Sequence, residues 1–169
     1  TPVDYGQGGG LAGNLQRVAA LIAAEMPTRL YYVTYAGNSF DTHVQQADLH
    51  TRLLMYTADA VRGFIDDVAR LGRGDDVAVM LFTEFGRRVE ENGSLGTDHG
   101  TATPMFLAGK GVKGGFYGQH PSLTDLDDGN MKMTTDFRRV YATAIKEWLG
   151  YDQTQAVLKG TFAPMGVFA

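Results

Sequence analysis

Between Ala47 and Leu71, apolar residues recur at 49, 53, 54, 61, 64, 65 and 68, close to a 3.6-residue period, and Gly72 follows as a C-terminal stop. A long amphipathic helix needs an apolar surface to lie on. The flanking sequence supplies one on each side. Leu30-Tyr31-Tyr32-Val33-Thr34-Tyr35 is aromatic and β-branched, ends at Ala36-Gly37-Asn38, and reads as a mostly buried strand. After Asp75-Asp76, Val77-Ala78-Val79-Met80-Leu81-Phe82 is a continuous apolar run of the kind found in parallel strands covered on both faces. Strand, helix and strand make a βαβ unit, so the expected class is α/β.

The remaining elements fit around that unit. Asn14 to Met26 places Leu15, Val18, Ala19, Leu21 and Ile22 on one helical face, with Pro27 after its end. Thr83 to Thr103 reads as a polar loop, Pro104 to Ala108 as a third short strand, and Gly109 to Gly118 as glycine-rich irregular chain. Thr134 or Thr135 is the expected cap of a last helix running through Trp148 and closed by Gly150. With 169 residues, 44% of them hydrophobic, the expectation is one domain over 1–169. The chain opens on Thr1 rather than Met, with a glycine-rich, loop-like stretch to Gly10, as expected of a processed chain or a piece of a longer one.

Charge and composition remove several function classes. A net charge of -4, with no basic run longer than Arg87-Arg88 or Arg138-Arg139, argues against nucleic acid or an anionic membrane as the main partner. No apolar stretch reaches the roughly 18 to 20 residues of a membrane span. Without cysteine there is no thiolate ligand or cysteine nucleophile, so any metal must sit on histidine and carboxylate.

In an open α/β sheet, ligands bind beyond the carboxyl ends of the strands. Asp41 and His43 follow the first expected strand. Glu84 and Arg87 follow the second, and Asp98-His99 lies in the same loop between Gly96 and Gly100. Each pair has an ordinary reading when taken singly: an Asx turn beside a surface histidine, or an aspartate capping its own turn. Together, after successive strands, they read as oxygen and nitrogen donors for a metal. Glu84 fits either a metal ligand or a group holding a ligating histidine, and Arg87 fits a fork for phosphate or sulfate. A Glu84–Arg87 ion pair stiffening the loop is an equal reading. Asn38 and Asn92 are turn residues first and ligand contacts second. His50 reads as packing or capping, His120 as a loop histidine, and Asp125, Asp127 and Asp128 as a solvated acidic loop before a calcium site. Asp136 reads as a first-turn carboxylate on a helix.

Several ordered motifs then carry a family resemblance through most of the chain. Gly37-Asn38-Ser39-Phe40-Asp41-Thr42-His43 with Gln46, Thr83-Glu84-Phe85-Gly86-Arg87, Glu91-Asn92-Gly93-Ser94 and Gly96-Thr97-Asp98-His99-Gly100 resemble the bacterial domain of unknown function 1501 family, with its GGFDTH, SEFGR, EN(G)S and GTDHG signatures. Val112 to Gly118 and Thr135-Asp136-Phe137-Arg138 also look like that family. Asn38-Ser39 replaces the usual second glycine region, and Thr83 stands where serine is common.

The resemblance implies membership of the alkaline-phosphatase-like, sulfatase-like superfamily: a three-layer α/β fold with a mainly parallel sheet flanked by helices, present here as its C-terminal part. It also implies Asp98 and His99 as adjacent metal ligands and Asp41 with His43 as a second pair, the latter more closely spaced than is usual. The function implied is metal-dependent hydrolysis of a small phosphate or sulfate ester, or the metal-binding part of such an enzyme. Zinc suits the donors best, with manganese and calcium as alternatives. The superfamily's nucleophile strand has no counterpart before Leu30, so the other reading is a non-catalytic metal- or anion-binding domain. A Rossmann-type nucleotide unit lacks its glycine fingerprint. Family members are commonly longer and often carry a secretion signal, which implies a periplasmic or secreted parent.

Overall fold

The structure, a computed structural model, describes residues 2–7, 9–35, 37 and 39–169. The chain divides into two compact units, one of Thr1–Val79 with Glu90–Asp98 and the other of Met80–Val89 with His99–Ala169.

The first unit is built on two helices, α1 (Gly9–Ala23) and α2 (Gln46–Arg70). Leu11, Ala12, Leu15, Val18 and Ala19 of α1 form one core with Ala60, Phe64 and Val68 of α2 and with Tyr5. The 7-4-4 spacing of Leu53, Ala60, Phe64 and Val68 is a narrower stripe than the sequence suggests, and Leu49 and Leu54 of the same periodic set stay exposed. Gly63 sits mid-helix because the Asp4–Tyr5 backbone crosses there. A Cβ on it would stand 2.5 Å from the Asp4 carbonyl oxygen. Tyr5 also donates to Asp67 at 2.8 Å, and burial, followed by that bond, pushes its phenol well above the ordinary tyrosine value.

The run 30–35 is not a mostly buried strand. It is extended, with Tyr31, Val33 and Tyr35 packed on the core while Leu30 and Tyr32 are 74% and 77% exposed. The period of 2 is that of a strand with one covered face. Among the described residues the run joins no sheet. Val77 and Val79 pack on the same core, but the second run forms only a three-residue strand, β1 (Val79–Leu81), after a 3-10 turn at Gly74–Asp76.

The segment read as a polar loop is instead a hairpin of β2 (Gly86–Glu91) and β3 (Thr97–Gly100). Its turn is closed by Asn92 N–H on the Gly96 carbonyl (2.8 Å) and Leu95 N–H on the Asn92 carbonyl (3.2 Å). Asn92-Gly93 was the local hairpin signal. β4 (Phe106–Ala108) falls where a short strand was expected and pairs with β1. Among the described residues the strands make three two-stranded sheets.

In the second unit, Asp127 lies in β5 (Leu126–Asp127), which pairs antiparallel with β6 (Asn130–Met131) across an Asp128-Gly129 turn. Asp125 pairs with Lys132. That segment is a small hairpin, not an open acidic loop. The helix expected to run through Trp148 is capped by Asp136 rather than by Thr134 or Thr135. Its carboxylate accepts the Arg138 N–H at 2.9 Å at the start of α3 (Phe137–Thr143). α3 runs on into a π-helical turn, Ala144–Trp148, and α4 (Thr154–Leu158) follows. The chain end is fastened by polar atoms. Glu147 accepts from Gly166 N–H (2.8 Å) and Phe168 N–H (3.1 Å), the fully buried Thr143 accepts from Met165 N–H (2.9 Å), and Val112 and Phe168 form an antiparallel bridge.

No described helix is long and apolar enough to cross a membrane.

Candidate metal centre

Asp41 and His43 lie on the irregular connection that leads into α2, and several independent contacts fix it. The Phe40 ring meets Tyr35 and His50 edge-on, at centroid distances of 5.5 and 5.6 Å. His50, on the first turns of α2, also lies 3.5 Å from the Thr42 hydroxyl through Nδ1. It is therefore a packing residue, as the sequence suggests. Thr42 and Gln46 are buried polar residues, and Gln46 donates to the Thr42 carbonyl (2.8 Å) and hydroxyl (2.9 Å) while accepting from the Thr97 hydroxyl (2.8 Å). Every side-chain hydrogen-bonding direction that matters for a buried amide is thereby used.

The tip of the β2–β3 hairpin meets this connection. Gln45, at a left-handed φ of 42°, precedes α2 without any side-chain cap. Gln45 and Gln46 N–H donate to the carbonyls of Ser94 (2.9 Å) and Leu95 (3.0 Å). Amides at the start of α2 are thus satisfied by the hairpin turn. Gly96 makes the approach possible, since a Cβ there would stand 2.0 Å from the His43 carbonyl oxygen.

These constraints bring three of the expected ligands together within the first unit. His43 Nε2 lies 2.9 Å from Asp41 Oδ1, and Nδ1 lies 3.4 Å from Asp98 Oδ1. The imidazole thus has a carboxylate at each ring nitrogen. All three side chains are well exposed, so these ion pairs by themselves contribute little to stability. Imidazole nitrogen and carboxylate oxygen suit a divalent cation of the zinc or manganese kind, but the two carboxylates stand at opposite ring nitrogens, so only one of them can share an ion with His43. If one ring nitrogen ligates, the carboxylate on the other orients the ring, a common arrangement around metal-bound histidine.

His99, Glu84, Arg87 and His120 belong to the second unit. His99 stacks on Phe85, with centroids 3.8 Å apart and planes 10° from parallel, and the Arg87 guanidinium carbon lies 5.1 Å from the same ring centre. Glu84 is exposed and accepts from the Thr83 hydroxyl at 3.5 Å. His120, also exposed, is 2.7 Å from the Pro121 carbonyl through Nδ1 and stays a loop histidine. Asn38 lies outside the described residues. What the sequence undervalued is Asn92, whose side chain reaches both the Asp98 carboxylate and the His43 carbonyl. Asn92-Gly93 had a sufficient explanation as a turn, which hid the second role.

The family model described as "Protein of unknown function (DUF1501)" matches residues 13–166. No curated protein and no solved structure matches the chain.

Proposed function

The chain belongs to the DUF1501 family of proteins of unknown function, and we propose that it holds one or two divalent cations as the metal-binding part of a phosphate- or sulfate-ester hydrolase. The ligands assigned are Asp41, His43 and Asp98, with His99, the next residue in the chain, as a fourth. The observation that carries this reading is the His43 imidazole with a carboxylate at each ring nitrogen. In support, the Gln46 amide ties Thr42, which lies between Asp41 and His43, to Thr97, which precedes Asp98.

Zinc is the first choice, because imidazole and carboxylate are its ligands where thiolate is absent. When bound, the ion supplies Lewis acidity to an ester oxygen and lowers the pKa of an attacking group. Arg87 supplies a planar cation for the charged group of the ester, and Glu84 an oxygen for orienting a ligand. The fold that accompanies this reading is the alkaline-phosphatase-like three-layer α/β arrangement, in which β1 and β4 are neighbouring strands.

Metal analysis of purified protein tests it. Wild type is expected to carry zinc or manganese, and Asp98→Ala with His99→Ala to lose it; equal metal content in both removes the basis of the reading. Assays on an aryl phosphate, a phosphodiester and an aryl sulfate then separate the roles. Turnover that needs the metal supports the hydrolase, whereas metal uptake with no turnover on any of them assigns a non-catalytic binding role.

A further inference from the structure

We propose that Asn92 is the positioning residue of this centre, its side-chain amide holding the Asp98 carboxylate and the His43 backbone in fixed relation; the proposal rests on the metal-binding reading above. Asn92 Nδ2 donates to Asp98 Oδ1 at 3.0 Å and to the His43 carbonyl at 3.1 Å. Asn92 Oδ1 accepts from Ser94 N–H at 2.9 Å and from Gly96 N–H at 3.1 Å. Four bonds fix the orientation of the amide without ambiguity. Turning it over would set its oxygen against two acceptors and its NH2 against two donors.

The division of these bonds separates a positioning role from a turn role. An Asx turn uses only the oxygen, and here the oxygen does that with Ser94 and Gly96. Both amide hydrogens are spent outside the turn, on the two ends of the contact between Asp98 and the His43 loop. The Asp98 oxygen they reach is the same Oδ1 that lies 3.4 Å from His43 Nδ1. Asn92 therefore selects which Asp98 oxygen faces the imidazole. It also sets the height of the hairpin over the loop that carries the ring, helped by the close approach at Gly96.

Groups that orient metal ligands typically change metal affinity by about 10- to 100-fold when removed. Asn92→Ser keeps a hydroxyl acceptor for the turn and loses the amide NH2 that makes both outward bonds. The expected result is zinc affinity about 10- to 100-fold weaker than wild type, an altered visible spectrum of the cobalt-substituted protein, and a thermal midpoint near wild type. A second readout needs no metal: at one fixed pH, the His43 ring 15N shifts should move in the same direction in Asn92→Ser as in Asp98→Ala. Unmoved ring shifts overturn the proposal, as does a zinc affinity and cobalt spectrum equal to wild type. If wild type takes up neither zinc nor cobalt, the metal-binding reading fails and the ring shifts alone decide the role of Asn92. Should Asn92→Ser not fold, Asn92→Thr, which likewise keeps a hydroxyl acceptor for the turn and lacks the amide NH2, is read by the same shifts.

Discussion

The two units of this chain are each stabilised internally, by different means. The first buries Leu11, Leu15, Val18, Phe64 and Val68 in one apolar core between two long helices, and its polar contacts are concentrated where the candidate ligands sit. In the second, Ala142, Val167 and Phe168 are the buried hydrophobic residues among those described, and its chain end is secured by Glu147 and Thr143 accepting backbone N–H groups. Edge-to-face contacts of Phe82 and Phe137 with Tyr141, and the Arg138 guanidinium 4.3 Å from the centre of the Phe162 ring, do much of the rest. An apolar core tolerates imprecise placement and is sensitive to lost volume. A polar clamp is sensitive to single atoms.

The contrast breaks most visibly in the core. Phe64 is 3% exposed and touches both helices' shared cluster, so Phe64→Ala should cost about 3–5 kcal/mol, the usual range for emptying such a site. Denaturant unfolding measures the loss, and amide exchange should show it concentrated in α1 and α2. A loss under about 1 kcal/mol would mean that the first unit does not depend on this core as large-to-small substitutions normally do.

The same contrast explains what could be read in the sequence. α1 and α2 were legible because burial at helical spacing leaves a periodic trace, and α2 falls within a residue of its expected ends. The hairpin 86–100 was not, because its strands carry charged Arg87, Arg88, Glu90 and Glu91 in place of an alternating apolar set. The run 30–35 misled in the opposite direction: its aromatic and β-branched residues read as mostly buried, yet only Tyr31, Val33 and Tyr35 face the core. For the site, residue types and order pointed to Asp41, His43 and Asp98. The long-range hydrogen bonds that place them could not be read, because Asn92 reaches His43 and Thr97 reaches Gln46 across 49 and 51 positions of chain.

In the second unit the sensitive point is Glu147. Glu147→Ala removes the acceptor for Gly166 and Phe168 N–H together. Hydrogen bonds to a charged group are generally worth about 1.5–3 kcal/mol. A loss at the lower end of that range is expected here, since one of the two is solvent-exposed. Exchange of the Gly166 and Phe168 amides should quicken more than exchange of α3. If neither rate changes, the chain end is held by the Val112–Phe168 bridge and the Trp148–Phe168 ring contact, and the polar account of this unit is wrong.

The smallest effect separates the units by pH. α2 begins on backbone carbonyls of Ser94 and Leu95, which do not titrate, whereas α3 begins on the Asp136 carboxylate. Hydrogen bonds from the Arg138 side chain hold the Asp136 carboxyl below the ordinary aspartate value, with burial opposing and the Arg138 backbone N–H and positive charge assisting. A lowered folded-state pKa stabilises the fold fully above the unfolded value, and that contribution is lost as pH falls through the lowered folded value. Asp136→Ala should therefore cost about 0.5–2 kcal/mol at neutral pH, the usual cost of losing a helix cap, and its difference from wild type should shrink on acidification. Asp136→Asn keeps a cap acceptor but no charge, so it should retain most of the neutral-pH stability and lose the pH-dependent part. Amide exchange in α3 followed from pH 7 downward reads both variants, and a wild-type difference that stays constant to acid would place the stabilisation in the cap geometry and not in the charge.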